Sequence, residues 1–288
     1  MKKTMIGLLA LVSLGLTGCG GGDEKADTSK SAEKETTAFT GEYIVDAEYV
    51  KKNLDDLILV DARGEEEANK GTIKGATVIG WQNLASVEEG ASGDEKWGLV
   101  LEPAELGKRL GEKGIAKDKE VVLFAGAQKG WGDDGRIAWE LLAAGYQDVK
   151  IIDGGFTALK KSGLKTAYES TELDPVDVTI DSIDQKHMIR TDELKKDYAD
   201  YKVVDVREDK EYKGEILYGE AKGGHLPDAI HLRFTELFQK NGKLKSKEEL
   251  TKLFEDAGLS KKDQIVTYCT AGIRSAYMEL VMEMCGFK

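Results

Sequence analysis

A cysteine followed by a short glycine-containing loop, an arginine and a helix start can hold a small anion and react with it. The segment Tyr268-Cys269-Thr270-Ala271-Gly272-Ile273-Arg274-Ser275-Ala276 has this order. The apolar run Ile265 to Tyr268 reads as a short buried strand, and Ser275 to Cys285 reads as a helix. Cys269 therefore stands at a strand end. Backbone N–H groups of a loop bent between strand and helix converge on an anion, and the helix N-terminus adds partial positive charge. Both effects, with Arg274, lower the pKa of Cys269 and keep it as the nucleophilic thiolate. Thr270, Ala271, Gly272, Ile273, Arg274 and Ser275 are then candidate binding residues for the oxyanion part of a substrate or for the outer sulfur of a persulfide. The plainer reading, a small cysteine closing a strand, does not account for the loop, the arginine and the helix start at this spacing.

The composition narrows the partners. The chain has 288 residues, with 41 Lys+Arg against 53 Asp+Glu and a net charge of −12. Such a surface disfavours nucleic acid, so an anionic substrate needs a local positive site. The three cysteines, Cys19, Cys269 and Cys285, are too few for a disulfide scaffold and lack zinc-site spacing. No metal and no cofactor are expected. At roughly 1.5 Å per helical residue, Cys285 lies on the order of 15 Å from Cys269 and beyond disulfide reach.

The elements that position Cys269 occur twice. Val60-Asp61-Ala62-Arg63 recurs as Val204-Asp205-Val206-Arg207, 144 residues on, and Gly114 to Ala125 recurs in the same register as Gly258 to Cys269. The chain is a tandem duplication rather than a solenoid. In each copy, short apolar runs ending at Asp61 or Asp205 alternate with helical patterns over Leu106 to Gly114 or Leu250 to Gly258. This alternation predicts an α/β fold, two tandem domains each with a mostly parallel sheet flanked by helices. Ligands of such sheets bind beyond the carboxyl ends of strands, where Asp205 and Cys269 stand. Asp205 and Arg207 suit an ion pair bracing the site, and His225 suits a hydrogen bond within its own turn. The register sets Ala125 opposite Cys269, with a longer loop behind it, so the first copy lacks both thiol and cradle.

The N-terminus reads as an address. Lys2-Lys3 precedes an apolar run from Met5 to Leu16, too short to span a bilayer. It ends in Leu16-Thr17-Gly18-Cys19, which resembles the lipobox of bacterial lipoproteins. That resemblance implies a signal peptide over 1–18, lipidation of Cys19, a flexible tether over 19–40 and an extracytoplasmic, lipid-anchored protein. Domains over 41–168 and 169–288 follow, non-catalytic and catalytic respectively.

The Asp-x-Arg after the first strand, Gly224-His225-Leu226-Pro227-Asp228-Ala229, the Cys-x-x-Gly-x-Arg loop and the first copy's ending Val149 to Phe156 together resemble rhodanese-type sulfurtransferases. The resemblance covers Gly41 to Lys288 and implies an enzyme that moves a sulfane sulfur from a small anionic donor to a thiophilic acceptor such as cyanide. In tandem members the C-terminal copy is the active one. The resemblance further implies a Cys269 persulfide intermediate, with Arg274 binding the donor or orienting the loop, and Asp205, Arg207 and His225 in support. Two positions depart from the family. Glu211 precedes Tyr212 where thiosulfate enzymes carry arginine, and Thr270-Ala271 replace basic residues after the cysteine. Mercaptopyruvate-type members have small residues there but threonine at the position of Arg274, so the sequence fits neither subtype cleanly. The second copy stops at Lys288 without the last strand of the first, which predicts a truncated second sheet with a gap. The rival readings are a persulfide carrier or redox sensor, and a cysteine phosphatase, whose anion loop is one residue longer.

Overall fold

The computed structural model describes residues 37–88 and 90–288. The signal peptide, Cys19 and the tether up to residue 36 lie outside the described residues. The stretch assigned to the tether ends earlier than residue 40, because Phe39 is buried in the same core as Met284. Among the described residues, no helix is long and apolar enough to cross a membrane.

The first half holds a five-stranded parallel sheet. Its strands are β1 (Ile44–Val45), β2 (Leu57–Asp61), β3 (Thr77–Val78), β4 (Glu120–Phe124) and β5 (Val149–Ile152). Their order across the sheet is β1-β5-β4-β2-β3. Helices α1 (Ala47–Asn53), α2 (Pro103–Glu112), α3 (Asp133–Ala143) and α4 (Gly155–Lys161) flank it. The strands read as unbroken apolar runs because both faces are covered. Val60, Val121 and Leu123 face one core, while Leu59, Val122 and Phe124 face the other.

The second half repeats the central part in the same register. Its strands are β6 (Tyr201–Asp205), β7 (Ile230–His231) and β8 (Gln264–Tyr268), and its helices α5 (Asp209–Tyr212), α6 (Lys247–Asp256) and α7 (Ile273–Met284). Asp205 pairs with Tyr268 as Asp61 pairs with Phe124, so the 144-residue offset is a structural register. The sheet order is β7-β6-β8. Ile265 to Tyr268 are half-buried, not buried as their apolar character suggests. β4 lies between β2 and β5, whereas among the described residues β8 has a paired strand on one flank only, and its Ile265 N–H donates to the Lys288 carbonyl at 3.1 Å.

Helix starts fall earlier than periodicity places them, because caps decide them. Ser246 Oγ accepts from the Glu249 N–H at 3.2 Å and the Glu249 carboxylate accepts from the Ser246 N–H at 2.9 Å, a capping box that opens α6 three residues before Leu250. Pro103 opens α2 at its first position. The halves meet where α3 packs on α7. Gly135 makes the approach possible, since a Cβ there would stand 2.4 Å from Tyr277 Cδ2.

Candidate active site

β8 ends one residue before Cys269, and the chain then turns through Thr270, Ala271 and Gly272 into α7. The turn requires Gly272, whose φ of +76° is left-handed. The result is a loop whose Ala271 and Ser275 N–H groups point at the Cys269 sulfur, with Ser275 Oγ 3.7 Å away. Burial pushes the thiol up. The Arg274 charge and these N–H groups outweigh it and hold the thiol below the ordinary range. The rate of alkylation of Cys269 by iodoacetamide should therefore reach its plateau at a lower pH than that of a free cysteine, whose midpoint lies near about 8.5. A profile matching free cysteine would show that the cradle does not act on the sulfur.

Arg274 is buried and bound to Glu211, which is also fully buried. The guanidinium donates from Nη1 to Oε2 and from Nη2 to Oε1, each at 2.7 Å. The bidentate pair keeps Arg274 charged and holds Glu211 below the usual carboxylate range, the arginine bond overcoming the effect of burial. Thr270 Oγ1 donates toward Glu211 and toward Glu220, each at 3.2 Å. Arg274 thus orients the loop and faces the Cys269 sulfur. On its other side the guanidinium lies 5.0 Å from the ring centroid of Trp131, and Trp131 meets Tyr218 edge-on at 5.2 Å. Trp131 comes from the first half, in the loop after Ala125.

The supporting residues sit beneath the strand ends. Arg207 donates to both oxygens of the buried Asp205 and, through Nη2, to the Gly224 carbonyl at 2.7 Å, joining the strand end to the Gly-His-Leu-Pro turn. Tyr268 completes the brace. Its hydroxyl donates to Asp205 Oδ2 at 2.7 Å and accepts from the Leu226 N–H at 3.0 Å. His225 lies flat on Tyr212, 3.7 Å between centroids, with Nδ1 2.8 Å from the Tyr212 carbonyl. Its hydrogen bond goes to the end of α5, thirteen residues back, and not to its own turn. Cys285 is buried at the far end of α7, where burial raises its thiol.

Sequence reasoning missed Tyr268, Trp131 and the partner of Arg274. It also missed a group on the flank of α7, where ligand atoms of His187, Glu279 and Glu283 lie within 4.8 Å of one another and His187 Nδ1 is 2.7 Å from Glu279. Only the spacing of Glu279 and Glu283, four residues apart, was legible beforehand.

At the matching place in the first half, Gly132 opens α3 seven residues after Ala125, while Gly272 opens α7 three residues after Cys269. The longer loop winds through a helical turn at Ala127–Lys129. The amide N–H groups of Gly135 and Ala125 serve the buried Asp134 carboxylate, whose pKa burial pushes up to about 7. An acid of the same helix has taken the anion's position.

Gly272 invites a direct test. Gly272→Ala forces a left-handed φ on a residue with a Cβ, a strain of about 1–2 kcal/mol, and sets that Cβ 2.6 Å from Arg136 Nη1. Displacing the loop by about 1 Å should cost on the order of 10²-fold in turnover, measured beside the thermal midpoint. Undiminished turnover would mean the loop geometry is irrelevant.

A strand-end cysteine whose sulfur faces two loop N–H groups and an arginine, at the carboxyl end of a parallel sheet, fits a cysteine-dependent group-transfer protein. The model of the rhodanese-like domain matches residues 46–162 and 190–288, and the chain belongs to that family. A Mycolicibacterium smegmatis protein named "Putative thiosulfate sulfurtransferase" is 27% identical over 256 residues, covering 85% of this chain and 89% of its own. The "Sulfur carrier protein TtuD" of Thermus thermophilus is 25% identical over 261 residues, covering 84% and 87%. Among solved structures, the 3-mercaptopyruvate sulfotransferase SseA of Escherichia coli superposes with a TM-score of 0.70 at 21% identity, covering 85% of this chain and 95% of that one. EanB in complex with hercynine gives a TM-score of 0.73 at 22% identity, and the match spans 64% of that longer chain. The two structures establish the shared fold.

Proposed function

We propose that the protein is a sulfurtransferase that carries a sulfane sulfur on Cys269. The observation that carries this reading is the Cys269 sulfur held by the Ala271 and Ser275 N–H groups beside Arg274. The Cys269 thiolate attacks the outer sulfur of an anionic donor such as thiosulfate. A new S–S bond forms to Cys269 as the donor's S–S bond breaks, and sulfite leaves with the electron pair. The terminal sulfur of the resulting persulfide takes the place of the thiolate charge in the ring of amides. A thiophilic acceptor such as cyanide then attacks that outer sulfur, leaves as thiocyanate and returns the electron pair to Cys269. Glu211 and Thr270-Ala271 set the donor preference apart from both subtypes named above.

The test is thiocyanate release from thiosulfate and cyanide by the purified protein, with the intact mass recorded after donor alone. Turnover, together with a one-sulfur mass gain on Cys269, is the expected result. No gain and no turnover would overturn the reading. The relative named as a sulfur carrier favours a second reading, in which the persulfide is delivered to a partner. A mass gain without turnover would support it.

We further propose that the protein is extracytoplasmic and anchored by lipid at Cys19. The Lys2-Lys3, Met5 to Leu16 and Leu16-Thr17-Gly18-Cys19 segments support this. Cys19→Ser should move the protein from the membrane fraction of a bacterial host to the soluble one. An unchanged distribution would refute the anchor.

A further inference from the structure

Large apolar side chains stand in solvent around the mouth of the site. Eight are exposed among the described residues, and five of these gather here: Trp131, Ile216, Leu217, Tyr218 and Leu226. Trp131 faces the Arg274 guanidinium and meets the Tyr218 ring at 5.2 Å. Ile216 and Leu217 lead directly into Tyr218 and are 55% and 43% exposed. The Leu226 N–H donates to the hydroxyl of Tyr268, the residue before Cys269. Single exposed apolar side chains are ordinary, but a group of them marks a binding surface.

The apolar turn is tied down at both sides. Glu220 Oε2 accepts from the Leu217 N–H at 3.0 Å and from the Tyr218 N–H at 2.8 Å, while its Oε1 accepts from Thr270 Oγ1 at 3.2 Å. One carboxylate thus joins the turn to the loop of Cys269. From the first half, Ser92 Oγ donates to the Tyr218 carbonyl. Gly93 lets the two backbones touch, since a Cβ there would collide with the Gly219 carbonyl oxygen. Polar bonds therefore hold apolar side chains in water, where burial contributes nothing. A partner that covers them gains that burial with little ordering left to do.

Charge selects the occupant. Glu220 makes no ion pair among the described residues, and N–H and hydroxyl groups alone bind it. The whole chain carries −12, which disfavours anionic lipid and attracts a basic partner. We propose that this rim is the docking surface for a protein that accepts the sulfur, presenting a cysteine thiol on an apolar, basic segment. The proposal deepens the sulfurtransferase reading and rests on it for the chemistry. The acceptor thiol gives its proton to solvent, and its thiolate attacks the outer sulfur of the Cys269 persulfide. A persulfide forms on the acceptor as the Cys269 S–S bond breaks and the electron pair returns to Cys269.

Docking can be read without any sulfur transfer. The full chain carrying Cys19→Ser and Cys285→Ser keeps Cys269 as its one thiol. Its thiolate displaces pyridine-2-thione from a cysteine peptide activated as the pyridyl disulfide, and that rate is divided by the rate with 2,2′-dithiodipyridine. A peptide with leucine and lysine around its cysteine should give a ratio about tenfold above one with glutamate in place of lysine. Ile216→Ser with Leu217→Ser should lower the ratio of the leucine–lysine peptide about tenfold, the scale of one lost hot spot. The small-reagent rate should stay within twofold. An unchanged ratio overturns the proposal, as do equal losses with both reagents, which would mark a general disturbance of the site. Equal ratios for the two peptides overturn it likewise, because no basic partner is then selected. Binding of the parent to phosphatidylcholine vesicles, lost in the double variant, would assign the rim to a membrane and overturn a protein partner. A lowered peptide ratio with no mass gain from sulfur donors would refute the sulfur chemistry and leave the docking surface standing.

Discussion

Cys269→Ser should lower thiocyanate release by at least about 10³-fold, as loss of a covalent nucleophile does. The reason is chemical rather than structural. The Arg274 charge and the Ala271 and Ser275 N–H groups hold the Cys269 thiol below its ordinary range against burial, whereas a serine hydroxyl starts far above any thiol. An oxygen also cannot form the S–S bond that stores the transferred sulfur. Serine is close in size to cysteine, so the loop should persist and the thermal midpoint should stay near that of the parent. Intact mass after exposure to donor should show a gain of one sulfur in the parent and none in the variant. Cys285→Ser should behave as the parent in both assays, since Cys285 is buried at the other end of α7. Transfer that survives in Cys269→Ser, at a rate within tenfold of the parent, would refute the persulfide route.

The strands and their register were legible because burial on both faces leaves unmistakable apolar runs, and because duplication writes each run twice. Val60 and Val204 therefore anchor the same ladder positions. The strand-end place of Cys269 followed from the same runs. Helix starts at Ser246 and Pro103 were written in cap chemistry that periodicity alone overlooks. What escaped was pairing across the fold. Glu211 stood out as a departure from the family, but its bond to Arg274 spans 63 residues of sequence. Nothing local to Trp131 says that the loop of one half packs against Arg274 of the other. The half-buried character of β8 was hidden for a similar reason. Apolar residues say that a strand packs, but not how many neighbours pair with it.

The Glu211–Arg274 pair turns an apparent departure from the family into the brace of the loop. Both side chains are fully buried or nearly so, so removing one leaves the other charged without compensation. Glu211→Ala should destabilise the protein by about 3–5 kcal/mol, the usual cost of breaking a buried pair, and lower the thermal midpoint on the order of 10 °C. Turnover should fall with it, because Thr270 loses an acceptor and Arg274 loses the anchor that aims it at the sulfur. The double replacement Glu211→Met with Arg274→Met removes both charges and should recover much of the stability. It should not recover activity, because no cation then lies beside Cys269, and this separates bracing from catalysis. The pair also sets an acid limit. Arg274 holds the carboxyl of Glu211 below its ordinary value of 4.5 against the opposing effect of burial. Its contribution to stability is therefore fully present above that value and is lost as the pH falls through the lower, folded-state value. The double variant, with no carboxylate to protonate at this position, should lose less stability than the parent over that acid interval. Parallel unfolding curves for the two proteins from neutral pH to below that interval would show that the pair does not carry the linkage.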